Sequence, residues 1–280
     1  MKLAHLILAH TMHNQLARLI KRLHHPDADI YIHVDKKTDI AQFNDLQLTV
    51  PVFFITTRVS VDWGNYNMIE ATLNSFEEIT SKNTSYTHIN LLSSQDYPLK
   101  NASQIQNFLF DNLGKTFMRS YAIPEEWDEP LGRLTRYNFG DYKFPGKHLL
   151  QNLANRILPD RKTPAGLKMY GRSQWFTITP QCALYVINYL KNNPSVRLFF
   201  KHTWACDELV FQTILLNSPL KDSIVNDHLR YIKFKRGDSR PKTLTMTDAS
   251  DLTASGKLYA RKFDSTIDYE ILDYLDSLAI

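Results

Sequence analysis

The chain has 280 residues, enough for one large domain with a sizeable core or for two small ones. Its 43% hydrophobic and 22% charged residues are ordinary for a globular protein, and a net charge of +4 scattered along the chain suits an anionic small ligand but excludes a nucleic-acid binder built on a basic patch. Two cysteines, Cys182 and Cys206, give neither a disulfide framework nor a CxxC metal site, and a reducing compartment is the simplest reading.

The opening MKLAHLILAH is too short an apolar run for a secretory signal, is interrupted by His5 and His10, and lacks a small-residue cleavage site. It reads instead as a buried first strand, Leu3 to Ala9. No uninterrupted apolar run approaches the roughly 20 residues needed to span a bilayer, so a soluble, cytoplasmic protein is expected. A basic amphipathic helix follows from Asn14 to Leu23, then strands at Asp29 to Val34 and Val52 to Ile55. Next come a helix from Met68 to Ile79, a strand from Thr87 to Leu92 and a helix from Ser103 to Phe110. Strands separated by helical segments of about a dozen residues predict an α/β fold with a mainly parallel central sheet flanked by helices.

Residues 124 to 166 are rich in Pro, Gly, Trp, Tyr, Arg and Lys and show little periodicity, the character of a functional or mobile loop. Regular patterning resumes with a strand at Gln174 to Ile178 and a helix at Pro180 to Leu190, with Pro at its first turn. The helix led by Asp207 follows. No repeat, low-complexity tract or linker divides the chain, and a single domain is expected.

Ligands of parallel sheets bind beyond the carboxyl ends of the strands. That rule selects His10, Asp35 and the loop Ser93-Ser94-Gln95-Asp96. Asp35 closes the strand IHVD, where a nucleotide base or ribose would lie, or it caps a loop. Gln95 and Asp96 offer acceptors and donors suited to sugar hydroxyls, or belong to a loop without chemistry. Trp63-Gly64 before a helix is either an aromatic wall with a close backbone approach or a core Trp beside a turn.

DELVFQTILLNSP, residues 207 to 219, places Asp207 as the N-cap of an apolar helix and Glu208 in its first turn. Val210, Phe211, Ile214 and Leu215 form the core stripe. Glu208 and Gln212 share a face outside it, so an ionised Glu208 can take a proton from an incoming hydroxyl. Two solvated acids on a capped core helix are the plainer reading. Near the end, Lys242 and the pair Arg261-Lys262 supply cations for a displaced diphosphate, or make a solvated basic face. GxSxG, GxxxxGK[ST] and GxGxxG are absent, which weighs against a serine hydrolase, a P-loop kinase and a Rossmann dehydrogenase.

In order, LILAH, IHVDKK, VDWGNYNMIEATLNSF, HINLLSSQDYPLK, GRSQWFTIT, DELVFQTILLNSP and KLYARKFD resemble the core-2/I-branching β-1,6-N-acetylglucosaminyltransferase family (glycosyltransferase family 14), in the form of a bacterial member. They span residues 3 to 264. The resemblance implies a GT-A-like fold, with a nucleotide-binding part over about residues 1–115 and an acceptor-binding, catalytic part over about 116–280. It implies inverting transfer from a UDP-sugar to a glycan hydroxyl, with no metal and no other cofactor. N-acetylglucosamine is the expected sugar, in a β-linkage of which β-1,6 is the family's namesake form. UDP-xylose or another UDP-sugar is the alternative donor, and a non-catalytic carbohydrate-binding protein using Trp63, Trp127 and Trp175 is the alternative function.

By the resemblance Glu208 is the base, Lys262 and Lys242 or Arg240 meet the diphosphate, and Asp35 lies at the nucleotide; Arg261, beside Lys262, and His10, at a strand end, are expected at the same ligand. Asp207, Gln95, Asp96, Trp63 and Trp175 are the expected substrate contacts. Cys206 stands where the family often has Pro, and residues 117–166 match poorly. The Asp-x-Asp that holds Mn²⁺ in many nucleotide-sugar transferases has one counterpart near a strand, Asp27-Ala28-Asp29, at the wrong strand end. The implied partners are a UDP-sugar and a glycan acceptor, with peripheral contact at the inner face of the membrane or with a glycan assembly complex, and no nucleic acid.

Overall fold

A computed structural model describes residues 1–11, 13–44, 50–164, 166–234 and 240–278. In chain order its strands are β1 (Lys2–Ala9), β2 (Ala28–Val34), β3 (Phe53–Phe54), β4 (Tyr86–Ser93), β5 (Asp96–Pro98), β6 (Thr116–Phe117), β7 (Ser120–Ala122), β8 (Tyr170–Arg172), β9 (Thr177–Ile178), β10 (Ile224–Val225), β11 (Arg230–Ile232) and β12 (Tyr259–Arg261). Seven form the central sheet in the order β10-β6-β9-β4-β1-β2-β3. β1 pairs in parallel with β2 and β4, and β3 extends the parallel set. β9 runs antiparallel between β4 and β6. This is the mainly parallel, helix-flanked sheet expected of a GT-A-like fold.

Strand side chains alternate between faces, and here both faces are buried. Leu3, Ile7 and Ala9 of β1 join one cluster, with Leu16 and Ile20 of the helix His13–Leu23, Ile105 of Ala102–Phe110 and Ile271 of Glu270–Ser277. Ala4 and Leu6 join the other, with Ile69 and Phe76 of Asn67–Thr80, Val186 of Pro180–Asn192 and Phe211 of Val210–Leu216. Each fully buried Leu, Ile or Phe contributes about 1.5–3 kcal/mol by leaving water.

Two small sheets stand beside the central one. β12 pairs with β11 in parallel and with β5 antiparallel, a register that sets Arg261 opposite Asp96. β7 and β8 form a ribbon with Ser120 opposite Arg172. Arg230 docks this layer onto the central sheet. It is buried and donates to Thr177 Oγ1 (3.0 Å), Leu91 O (3.0 Å), Phe176 O (2.9 Å) and Asn90 Oδ1. Burial lowers its guanidinium to about 10, and neutral oxygens replace a carboxylate as its partners.

Three expectations are corrected. The strand expected over Gln174 to Ile178 is only Thr177–Ile178, because Gln174 and Trp175 turn into a cavity. Residues 124–166 hold two helices, Leu131–Thr135 and Lys147–Ile157; the second buries no side chain, so no core stripe marks it. Asp207 does not cap a helix. Cys206–Glu208 is one 3-10 turn entered through Ala205 at a left-handed φ of 51°, and the α-helix begins at Val210. Gln212 accordingly shares no open face with Glu208; it is fully buried and donates to Ser173 O at 2.6 Å. Both cysteines are free and buried. Among the described residues no helix is long and apolar enough to cross a membrane.

Candidate active site

A cavity of about 1310 Å³ opens beyond the carboxyl ends of β1, β2 and β4, reached by His10, Asp35 and Ser94 from the residues just past each strand. Asp35 is nearly buried and accepts from Lys37 N (2.8 Å) and Val61 N (3.3 Å). His33 accepts from Val59 N at 3.0 Å, and burial pushes its imidazole below the usual histidine range. Arg58 donates to Val34 O (2.9 Å) and Asp35 O (2.8 Å). The wall formed by residues 33–38 and 58–61 is therefore fixed without a ligand.

All four tryptophans of the chain, Trp63, Trp127, Trp175 and Trp204, line this one cavity. Trp63 is 55% exposed and meets Trp204 edge-on, ring centroids 5.0 Å apart. Gly64 makes that pair possible: its φ is +76°, and a Cβ there would lie 2.9 Å from Trp204 Nε1. Aromatic walls with few placed polar groups suit a ligand that is part ring and part charge.

Glu208 is half-buried in the cavity. Its Oε2 accepts from Arg133 Nη1 at 3.0 Å, while Arg133 Nη2 reaches Glu129 at 2.6 Å and its guanidinium lies 5.3 Å over Trp127. Burial raises the Glu208 carboxyl above its usual range, and Arg133 opposes that rise. Gly171 supports the turn from beneath, since a Cβ there would lie 2.5 Å from Glu208 O. The residue that removes a hydroxyl proton works best when its pKa approaches the working pH. Replacing Arg133 with Met should move the acid limb of kcat/KM to higher pH, because the group lost is the one holding the Glu208 carboxyl down. An unchanged limb would remove Arg133 from any part in setting that proton.

Asp207 lines the cavity, is 5% exposed, and its Oδ1 has no hydrogen-bond partner. Burial first and the Glu208 charge second push its carboxyl up to about 7. A folded-state value above the unfolded one gives stability that is complete below about pH 4 and is lost as pH rises through about 7. Asp207→Asn, which mimics the protonated form, should match the wild-type Tm in acid and exceed it above neutrality, with up to about 4 kcal/mol at stake. Thermal melts across pH check this; parallel Tm curves would contradict it.

The cations divide. Lys262 and Arg240 line the cavity, and Arg240 lies 5.7 Å over Trp63. Among the described residues no ion pair engages the Lys262 ammonium. Arg261 also lines the cavity, held by Asp96 at 2.7 Å and lying 4.2 Å from the Trp175 ring. Two sequence-based assignments meet a different geometry. Asp96 is fully buried, accepting from Ser93 N and Arg261, and so presents no oxygen to a sugar. Lys242 does not line the cavity; its ammonium is spent on buried Asp248 at 2.6 Å. Gln95 lines the cavity, with its N–H on Ser93 Oγ (3.2 Å) and its carbonyl taking Phe263 N (2.9 Å).

Asp27 and Asp29 flank the start of β2, and Asp29 is bound to Lys2 and Tyr86. Among the described residues no three His, Cys, Asp or Glu side chains converge to hold a metal. Arg119 and Arg172 also line the cavity; sequence reasoning missed them together with Arg133, Trp204 and Gly171, and the one local signal is the Glu129/Arg133 pair at helical spacing.

The family described as Core-2/I-Branching enzyme matches residues 3–255. The chain belongs to that family, a family of glycosyltransferases. Xylosyltransferase 2 of Rattus norvegicus is 27% identical over 300 residues, covering 94% of this chain and 32% of its own length. Xylosyltransferase oxt of Drosophila melanogaster is 25% identical over 293 residues, covering 94% and 31%. The chain thus spans about a third of the length of these relatives. Mouse xyloside xylosyltransferase 1, in its apo form, overlays with a TM-score of 0.37 at 10% identity, over 78% of this chain and 83% of that one.

Proposed function

We propose that the protein transfers a sugar from a UDP-sugar to a glycan hydroxyl with inversion at the anomeric carbon and without a metal. Glu208 takes the acceptor proton, the acceptor oxygen bonds to the anomeric carbon, and the bond to the diphosphate breaks on the opposite face. Lys262 and Arg240, with Arg261 beside them, neutralise the charge that develops on the departing UDP. Single displacement asks for one base on the acceptor side, the part given to Glu208. The observation that carries this reading is the convergence of Glu208, these cations and all four tryptophans on one cavity at the strand ends.

The donor is either UDP-xylose, which the relatives' name xylosyltransferase favours, or UDP-N-acetylglucosamine, which the family's branching members suggest. A panel of UDP-sugars, read by UDP release with and without glycan acceptors, separates them. NMR of the product then reads the anomeric configuration, β from an α-linked donor. Sugar binding with no release of UDP from any donor would favour the carbohydrate-binding alternative.

A further inference from the structure

The helix Lys147–Ile157 buries none of its side chains, yet four of its eleven residues are large aliphatics. Leu149, Leu153 and Ile157 recur at every fourth position and are 76%, 50% and 69% exposed. Leu150 of the same helix and the flanking Phe144 and Leu158 are exposed as well. The opposite edge of the helix is what ties it down: Gln151 accepts from Phe139 N at 2.7 Å, and Asn155 both accepts from Tyr137 N at 2.6 Å and donates to Tyr137 O at 2.9 Å. The polar edge thus faces the protein and the apolar stripe faces outward. That is the reverse of a core-packed amphipathic helix.

Charge identifies what covers the stripe. Lys143, Arg156 and Lys162 are exposed on and beside the helix in sequence, and no acidic residue occurs between Asp141 and Asp160. A second copy seated symmetrically on this face would set these cations against their own counterparts. An anionic lipid surface satisfies both features, since acyl chains take the leucines and phosphates take the cations.

We propose that this helix lies in the interfacial layer of an anionic phospholipid bilayer. Its inner edge also helps line a cavity of about 400 Å³ that shares Arg133 and Trp204 with the large one, so docking brings the candidate active site next to the bilayer.

Flotation of the full chain with vesicles tests this independently of any transfer activity. Wild type should float with phosphatidylcholine–phosphatidylglycerol vesicles, much less with pure phosphatidylcholine, and less as salt rises. Leu149→Glu/Leu153→Glu should reduce binding to the anionic vesicles by about tenfold or more. Lys143→Ala/Arg156→Ala/Lys162→Ala should remove the preference for anionic lipid while retaining the wild-type Tm. Failure of wild type to float with either vesicle would overturn the proposal, as would unchanged binding by the leucine variant. A wild-type dimer in sedimentation velocity that the leucine variant splits would assign the face to a second copy instead.

Discussion

Glu208→Gln is expected to lower the rate of UDP-sugar turnover by about 10²–10⁴-fold and to leave UDP affinity close to wild type. The amide keeps the volume of the side chain and can still accept from Arg133, so the turn over Gly171 has no reason to move. What is lost is a basic oxygen in a partly buried position, where the carboxyl sits above its usual range. Steady-state UDP release gives the rate, and calorimetric titration of UDP gives the affinity. Turnover within a few-fold of wild type would reduce Glu208 to a counter-ion for Arg133.

Lys262→Ala should weaken UDP by about tenfold or more while leaving uridine unaffected. An ammonium on a diphosphate is a charge-assisted contact worth about 1.5–3 kcal/mol, and uridine has no phosphate to meet it. Arg240→Ala should act in the same direction. Lys242→Ala is the internal control: its ammonium is held by Asp248 outside the cavity, so UDP affinity should persist and the change should register in Tm. Equal losses for UDP and uridine at Lys262 would make the carboxyl-terminal segment a support for the fold rather than for the leaving group.

The parts of the molecule that could be read from the chain are those governed by local repetition. β1, β2 and β4 carry apolar residues on both faces because both faces of the sheet are covered, with buried polar exceptions such as His5, His33 and Asn90, and strands so buried announce themselves without a partner. The strand-end rule then led to His10 and Asp35 with no further knowledge. Asp207 shows where local rules fail. Two acids before an apolar run carry every mark of a capped helix, but the left-handed turn at Ala205 sends Asp207 inward into the cavity wall with its Oδ1 unpaired. Asp96 looked available because its partner, Arg261, lies 165 residues away in sequence. Arg240 and Lys242 stand two apart in a segment without periodicity, so nothing local told which one faces the cavity. Trp204, Arg133 and Gly171 owe their places to contacts between distant segments, which no spacing encodes.

The most direct measurement is UDP release from the preferred donor in the presence of EDTA, compared with the same reaction in Mn²⁺. With Lys262, Arg240 and Arg261 taking the charge of the leaving diphosphate, the two rates should agree within about twofold, against the several kcal/mol a Lewis-acid metal supplies where it is needed. Loss of activity in EDTA, fully restored by Mn²⁺, would contradict transfer by these side chains alone and would point to Asp35, at the strand end, as a metal ligand.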